Sequence, residues 1–271
     1  MKTWFITGAS RGFGALITEA VLKSGDAVVA TARDPSSIAD HPRLLKLPLD
    51  VTNEGQAREA AARGIDEFDR IDVLVNNAGY GLLGAVEEAS AVEVERVFAT
   101  NVFGLLNVTR AVLPYMRNRR SGHIVNMSSI GGYASHPGWG VYCATKFAVE
   151  GVSEALSIEL APLGIHATVV EPGYFRTDFL SAQSLSSTAA RIDDYADTVG
   201  KMRTFAAAVN HQQPGDPQRL AQAIVKLASE KKPPTRLALG SDTVARIEEK
   251  NRDVQRELDL WRSVSLSTDF T

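Results

Sequence analysis

The segment from Thr3 to Gly14 constrains this chain more than any other. Thr3-Trp4-Phe5-Ile6-Thr7 reads as a short buried strand, Gly8-Ala9-Ser10-Arg11-Gly12-Phe13-Gly14 follows at once, and an apolar-periodic helix (Ala15, Leu16, Ala20, Val21, Leu22) comes next. A strand that passes through a glycine turn into a helix brings bare backbone N–H groups and the positive helix end against a pyrophosphate. The spacing is G-x-x-x-G-x-G, not the G-x-G-x-x-G of the common dinucleotide fingerprint. A tight turn needing positive φ would also use glycines here, so the motif alone leaves both readings open. Because it opens the chain, no other domain is expected ahead of it.

Six further apolar runs fit strands: Ala27–Thr31, Leu44–Leu49, Val73–Asn76, His123–Met127, Ile165–Val170 and Arg236–Leu239. Helical patterns fall between them, at Glu54–Phe68, Val92–Met116, Val141–Leu160 and Pro217–Ser229. Strands alternating with long crossover helices predict an α/β fold, a doubly wound parallel sheet covered on both faces. At 271 residues and 44% hydrophobic content the chain suits one large domain spanning 1–271. Residues 174–214 hold no clear strand and read as an insertion directly after one. The stretch 241–262 reads as a polar helical tail (Val244, Ile247, Val254, Leu258, Trp261), with a Ser/Thr-rich end beyond it.

Composition narrows the partners. The net charge is −3 and no basic stripe is present, so nucleic acid is not expected. Cys143 is the single cysteine, which rules out an internal disulfide and fits a reducing, cytoplasmic setting. The five histidines share no metal-ligand spacing, and no metal is expected. No apolar run approaches a membrane span, and Met1-Lys2-Thr3 only faintly imitates a leader before Ser10-Arg11 interrupts it.

In a dinucleotide fold an acidic residue after the second strand binds the ribose 2′-hydroxyl. Here the tip of that strand is Ala32, followed by Arg33. A carboxylate would repel a 2′-phosphate, whereas a guanidinium pairs with it through a planar fork. Arg11 in the glycine turn is a second cation able to reach the same group. The pair favours NADP(H) over NAD(H), although Asp34 could take the acid's role after a small backbone shift. Asp50-Val51 follows the third strand; Asp50 either accepts from the adenine amino group or serves as a turn residue before Thr52-Asn53. Asn76-Asn77-Ala78-Gly79 ends the fourth strand, where paired amides can knit neighbouring strands and Ala78-Gly79 lets a ligand approach the backbone.

Tyr142-Cys143-Ala144-Thr145-Lys146 places a phenol and an ammonium on one face of a helix. A fixed ammonium favours the phenolate, so the tyrosine can give or take a proton. Val125-Asn126-Met127-Ser128-Ser129 ends the preceding strand and sets Ser129 at a carboxyl strand end, where open α/β sheets bind ligands. Asn101, at the predicted start of a helix, reads locally as an N-cap. Cys143 points about 100° away from Tyr142 around the helix and reads as a small buried residue.

Thr7–Gly14, Asn76–Gly79, Asn101, Ser129, Tyr142–Lys146 and Pro172-Gly173 with Thr177 together resemble, in order and spacing, the single-domain short-chain dehydrogenase/reductase superfamily. The resemblance runs over residues 3–240. Asn76-Asn77-Ala78-Gly79-Tyr80-Gly81, Glu171-Pro172-Gly173, the insertion and the tail are most similar to the hydroxysteroid and retinol dehydrogenase-like branch. The resemblance implies a Rossmann-like sheet, Tyr142 as general acid–base and Ser129 as the polariser of the substrate carbonyl. It further implies that Lys146 binds the nicotinamide ribose and depresses the Tyr142 pKa, that Asn101 holds a relay water, and that Thr177 contacts the carboxamide. The expected dinucleotide contacts are Gly8, Ser10, Arg11, Gly12, Phe13, Gly14, Arg33, Asp50, Val51, Asn77, Ala78, Gly79, Tyr142, Lys146, Pro172, Gly173 and Thr177.

These readings converge on an NADPH-dependent carbonyl reductase, reversible as an alcohol dehydrogenase. An NAD-dependent alcohol dehydrogenase, an epimerase that keeps its cofactor, and a non-catalytic NADP-sensing regulator are the alternatives. Tyr174, Phe175, Phe179, Leu180, Leu185, Tyr195, Met202 and Phe205 in the insertion, with Tyr80, Tyr133 and Trp139, suggest a bulky apolar substrate. Of these, Tyr133, Trp139, Tyr174 and Phe175 are expected at the substrate beside Ser129 and Tyr142. Helices 92–116 and 141–160 carry apolar residues on more than one face: Phe98, Val102, Leu105, Leu106 and Val108, then Phe147, Val149, Val152, Leu156 and Leu160. That surplus predicts a homodimer through the two helices, with a monomer as the alternative.

Overall fold

A computed structural model describes residues 1–270. Seven strands form one parallel sheet: β1 Thr3–Thr7, β2 Ala27–Ala32, β3 Leu44–Pro48, β4 Val73–Asn76, β6 Gly122–Met127, β7 Ile165–Pro172 and β9 Arg236–Leu239. Their order is β3-β2-β1-β4-β6-β7-β9, every pair parallel. The winding reverses between β1 and β4, which leaves a crevice above their carboxyl ends.

Alternation along the strands builds two cores. Trp4, Ile6, Val28, Val73 and Val125 meet Ile17 and Val21 of α1 (Gly12–Lys23) and Leu220 and Ile224 of α7 (Pro217–Leu227). On the other face Phe5, Val29, Leu74 and Ile124 meet three helices. Ala57 and Ala61 belong to α2 (Glu54–Phe68), Val108 and Val112 to α4 (Leu105–Arg119), and Leu160 to α5 (Gly140–Leu160). Both sheet faces are therefore dry, as the strongly apolar strands require.

Two local features depart from the sequence expectation. The predicted helix 92–116 is a composite: α3 (Ala91–Phe98), a π-helical turn over Ala99–Gly104, and then α4. By length and composition this run, Ala91–Arg119, is apolar enough to cross a membrane, contrary to the reading that no segment is; 56% of its apolar window is buried in the protein. Burial against the sheet accounts for its apolarity. The segment after β7 contains a three-residue strand, β8 (Leu185–Ser187), paired in parallel with β5 (Gly81–Leu83), and the helix α6 (Lys201–Val209). The tail forms α8 (Ser241–Leu266), which is exposed throughout from Val254 onward.

Candidate active site

A cleft of about 1130 Å³ runs across the carboxyl ends of the sheet strands. Its floor is bare by construction. Gly12 takes φ +54°, where an L side chain is strained, and a Cβ on Gly14 would lie 2.2 Å from the Gly8 carbonyl oxygen. The strand ends beneath are tied by side-chain amides. Asn77 Nδ2 donates to the Thr7 carbonyl at 2.9 Å, and Thr7 Oγ1 accepts from the Asn77 and Ala78 amides at 2.9 and 3.0 Å. Asn76 Nδ2 donates to Asn126 Oδ1 and Thr109 Oγ1, both at 2.9 Å. The asparagine pair thus joins β1, β4 and β6.

One end of the cleft is lined by Ala32, Arg33, Asp34, Asp50 and Val51. Asp34 Oδ1 accepts from the Ser36 amide at 2.9 Å, and that turn holds its carboxyl below the usual carboxylate range. Asp50 Oδ1 accepts from the Thr52 amide and hydroxyl at 3.0 and 2.8 Å, so the turn role is the one its carboxylate fills, while it still borders the cleft. Arg11 lines the cleft as expected. Its guanidinium donates to the Gln183 carbonyl, bridging the glycine turn to the insertion. Arg96 of α3 is a further cation beside Arg33: both line the cleft and both pull the Tyr80 phenol down against the effect of its burial. Nothing in the local sequence marks Arg96, an exposed helical arginine.

Ser10, Phe13, Ser129, Tyr142, Lys146, Pro172, Gly173 and Thr177 also line the cleft. Ser129 follows β6, and its Oγ accepts from the Gly131 amide at 3.1 Å. Tyr142 is 6% exposed on the first turns of α5. Burial pushes its phenol above the ordinary value, with the Ser129 hydroxyl opposing the rise. The Lys146 ammonium lies over the ring, 5.7 Å from its centroid. Lys146 Nζ donates to the Met127 carbonyl at 2.8 Å, and burial lowers its pKa to about 8. Thr177 Oγ1 accepts from the Phe179 amide at 3.3 Å.

Asn101 is no N-cap. It sits in the π-helical turn, a device that recurs at functional sites. Its Oδ1 accepts from the Tyr80 amide at 3.1 Å, and both Nδ2 hydrogens are used, on the Tyr80 carbonyl (3.0 Å) and Thr145 Oγ1 (3.1 Å). Gly79 packs against it: a Cβ there would lie 3.0 Å from Asn101 Oδ1 and 3.8 Å from Lys146 Nζ.

The other end of the cleft is aromatic. Trp139 meets Tyr142 edge-on at 5.6 Å and stacks on Phe179 at 6.5 Å, backed by Leu83, Leu185 and Met202. Tyr174 lines this cleft as expected. Phe175 also borders it, but its ring packs edge-on against Phe13 of the glycine turn, on the nucleotide side. Tyr133 does not line the cleft; its hydroxyl donates to Asn251 Oδ1 of α8 and its ring lies under Arg236. Two polar residues missed in the sequence do border the cleft. His136 carries a buried Nε2 without a partner, and Gln213 is 2% exposed with Oε1 unpartnered. Cys143 is buried, and burial raises its thiol pKa.

The short chain dehydrogenase family model matches residues 2–187. The chain belongs to this family. It is 37% identical to oxidoreductase BOA17 of Botryotinia fuckeliana, over 98% of this chain and 99% of that one. It is 42% identical to a 3-ketodihydrosphingosine reductase of Bacteroides thetaiotaomicron, over 87% and 86% of the two chains. The crystal structure of a short-chain dehydrogenase from Streptomyces avermitilis superposes with a TM-score of 0.93 at 42% identity, covering 99% of each chain. More distant structures hold either nucleotide. ElxO with NADP bound is 27% identical with a TM-score of 0.75, covering 90% and 99%. The Brucella melitensis 3-ketoacyl-(acyl-carrier-protein) reductase complexed with NADH is 25% identical with a TM-score of 0.74, covering 88% and 96%. The protein is an NAD(P)-dependent dehydrogenase/reductase of this family, and the bare strip at Gly8, Gly12 and Gly14 fits such a nucleotide.

Proposed function

We propose that this protein is an NADPH-dependent carbonyl reductase, reversible as an alcohol dehydrogenase, acting on a bulky apolar ketone or aldehyde. The observation that carries the reading is the grouping of Ser129, Tyr142 and Lys146 at the end of β6 beside the Trp139–Phe179 wall. Gly8, Ser10, Gly12, Phe13, Gly14, Asn77, Ala78 and Gly79 would hold the dinucleotide from the floor, and Pro172, Gly173 and Thr177 from the β7 side. Arg33 and Arg96 would face its adenosine end with Asp50 and Val51. When bound, the nucleotide supplies or takes the hydride.

The chain's own residues would position, polarise and protonate. Ser129 Oγ and the Tyr142 hydroxyl donate to the substrate oxygen as negative charge develops on it. Burial keeps Tyr142 a neutral phenol at neutral pH, the form that can deliver a proton to the new alkoxide. Lys146 supplies a cation over the Tyr142 ring. Asn101 spends both amide hydrogens on Tyr80 and Thr145, so its side chain fixes the walls of the site instead of donating to a relay water. The relative named as a 3-ketodihydrosphingosine reductase supports reduction of a keto group. Ala32 in place of an acid, Arg33, and the turn that occupies Asp34 support NADPH over NADH.

The same reading includes a homodimer. Val102, Leu105, Val108, Val149 and Leu160 are buried in the chain's own core, which removes most of the apolar surplus seen in the sequence. Of that surplus Phe147 stays 46% exposed, and Phe103, which was not counted in it, is 56% exposed on the other helical segment expected to pair. Phe98, Leu106, Val152 and Leu156 are half-buried.

The test is a panel of aryl, steroid-like and long-chain ketones offered with NADPH and with NADH. Consumption of NADPH, faster than of NADH and faster with bulky apolar ketones than with small ones, is expected. No consumption of either nucleotide with any ketone would overturn the reading.

A further inference from the structure

The tail helix α8 docks on the body through its first turns and buries little there. Thr243 is its one buried residue; Asp242, Arg246, Ile247, Lys250 and Asp253 are half-buried and the rest is exposed. Packing of an apolar face is the usual reason for a helix to sit on a protein, and Thr243 and Ile247 offer little of it. The docked turns supply instead a polar contact to each of two loops at the site. The first is the loop after β7. There the Asp242 carboxylate rests on bare backbone: a Cβ on Gly173 would lie 2.2 and 2.3 Å from its two oxygens, and one on Gly240, at φ +104°, 2.4 Å from Oδ1. Its Oδ2 accepts from the Tyr174 amide at 2.7 Å. The Gly173 amide donates to the Leu239 carbonyl and the Gly215 amide to the Tyr174 carbonyl, both at 3.0 Å, so this loop is gripped from both sides. Pro172, Gly173 and Tyr174 border the cleft, and the Tyr174 ring meets Phe205 of α6 edge-on at 5.9 Å.

The second contact lies further along the same helix, about 13 Å on. Asn251 Oδ1 accepts from the Tyr133 hydroxyl. Tyr133 closes the turn that Ser129 opens. Ser129 Oγ accepts from the Gly131 amide at 3.1 Å, the Gly132 amide donates to the Ser129 carbonyl at 2.8 Å, and the Tyr133 amide to the Ile130 carbonyl at 3.1 Å. The inner side of this turn is pressed on α5: a Cβ on Gly131 would lie 3.1 Å from Cys143 Sγ and 3.6 Å from both Ser129 Oγ and Tyr142 Cε1. The turn is thus wedged between α5 and α8, and a shift at Tyr133 moves Ser129 relative to Tyr142.

One rigid helix therefore ties the loop of Gly173 and Tyr174 to the turn of Ser129 at a fixed separation. Hydrogen bonds between partly exposed groups add little to global stability, so their value lies in placement. We propose that α8 is a brace for the site and that Asp242 and Asn251 are its positioning residues. Asp242 holds the loop after β7 against the cleft, and Asn251, through Tyr133, holds Ser129 in place beside Tyr142. The proposal rests on the reductase reading for its effect on turnover, though not for its effect on the free chain. Small misplacements of reacting groups are costly, about 100-fold for 1 Å, so weak contacts at this position are felt in kcat.

The experiment pairs amide exchange in the full chain without nucleotide with ketone kinetics. Asp242→Ala should speed exchange over residues 172–176 and lower kcat about tenfold, with KM for the nucleotide within a few-fold. Asp242→Asn keeps an acceptor for the Tyr174 amide and should restore both to near wild type. Tyr133→Phe and Asn251→Ala, both at the surface, should each speed exchange over residues 129–134 and lower kcat about threefold. Their double variant should be no worse than either alone, because one bond is lost in all three. Wild-type exchange over 172–176 in Asp242→Ala, equal losses in Asp242→Asn and Asp242→Ala, or additive losses in the double variant would overturn the proposal. So would a lowered Tm with kcat unchanged, which would make α8 a structural cap. The expected exchange pattern in a protein that turns over no ketone would leave the brace standing and sink the reductase reading.

Discussion

Arg203→Met probes how the segment over the substrate end is held. The Glu88 side chain, in the loop after β5, has no exposed surface, and Arg203 of α6 keeps only 16% of its own. The carboxylate accepts from Arg203 Nη2 at 2.6 Å, the Ala85 amide at 2.7 Å and the Ile192 amide at 2.9 Å. Burial pushes the carboxyl up, but Arg203 and the two amides overcome it and hold it at about 2, against an ordinary 4.5. A shift of that size is worth about 3 kcal/mol, and breaking a buried pair from one side costs about 3–5 kcal/mol. The pKa is depressed, so this stability is present above pH 4.5 and is lost as pH falls from there toward 2. Arg203→Met should cost about 3 kcal/mol near neutral pH, or about 6–12 °C in Tm for a chain of this size. If the loss is local, amide exchange over residues 185–209 accelerates instead, and KM for a bulky ketone rises more than kcat falls. The Glu88→Gln/Arg203→Met double variant should be less destabilised than the two single variants combined. A Tm within 2 °C of wild type, with unchanged exchange over that segment, would refute the reasoning.

Three further outcomes are expected. Arg33→Asp should weaken NADPH and favour NADH in relative terms, read as the ratio of kcat/KM for the two nucleotides; an unchanged ratio would make Arg33 a solvated loop residue. Gly14→Ala should abolish measurable NADPH binding by fluorescence, because the added Cβ meets the Gly8 carbonyl at 2.2 Å; near-normal affinity would mean the turn yields. Light scattering should give the mass of two chains, and Phe147→Glu the mass of one; a single-chain wild type would leave Phe103 and Phe147 as exposed surface.

The seven sheet strands were legible because each is a short apolar run bounded by turn residues, and doubly buried parallel strands need no alternation to be seen. β5 and β8 were not, since three residues cannot establish a period. The π-helical turn was hidden for a related reason: apolar spacing through Phe98–Leu106 reads as one uninterrupted helix, and nothing in it marks the wider turn that holds Asn101. Glycines, Asn76-Asn77 and Tyr142/Lys146 carry local patterns and could be named from spacing. Arg96, His136, Gln213 and Asp242 could not, because what sets them apart is the cleft or cluster assembled around them by distant segments. Tyr133 shows the converse: an aromatic residue in a loop near Ser129 is turned by Arg236 and Asn251 toward the tail. Burial, which no spacing reveals, raises the Tyr142 phenol pKa.

The most direct test of the account is Tyr142→Phe, which keeps the ring between Trp139 and Phe179 and removes one hydroxyl. NADPH affinity, measured by fluorescence, should stay within a few-fold of wild type. Turnover of the best ketone should fall by at least about 100-fold, the loss expected of a general acid. Turnover comparable to wild type with nucleotide binding intact would contradict the assignment of Tyr142 as the proton donor.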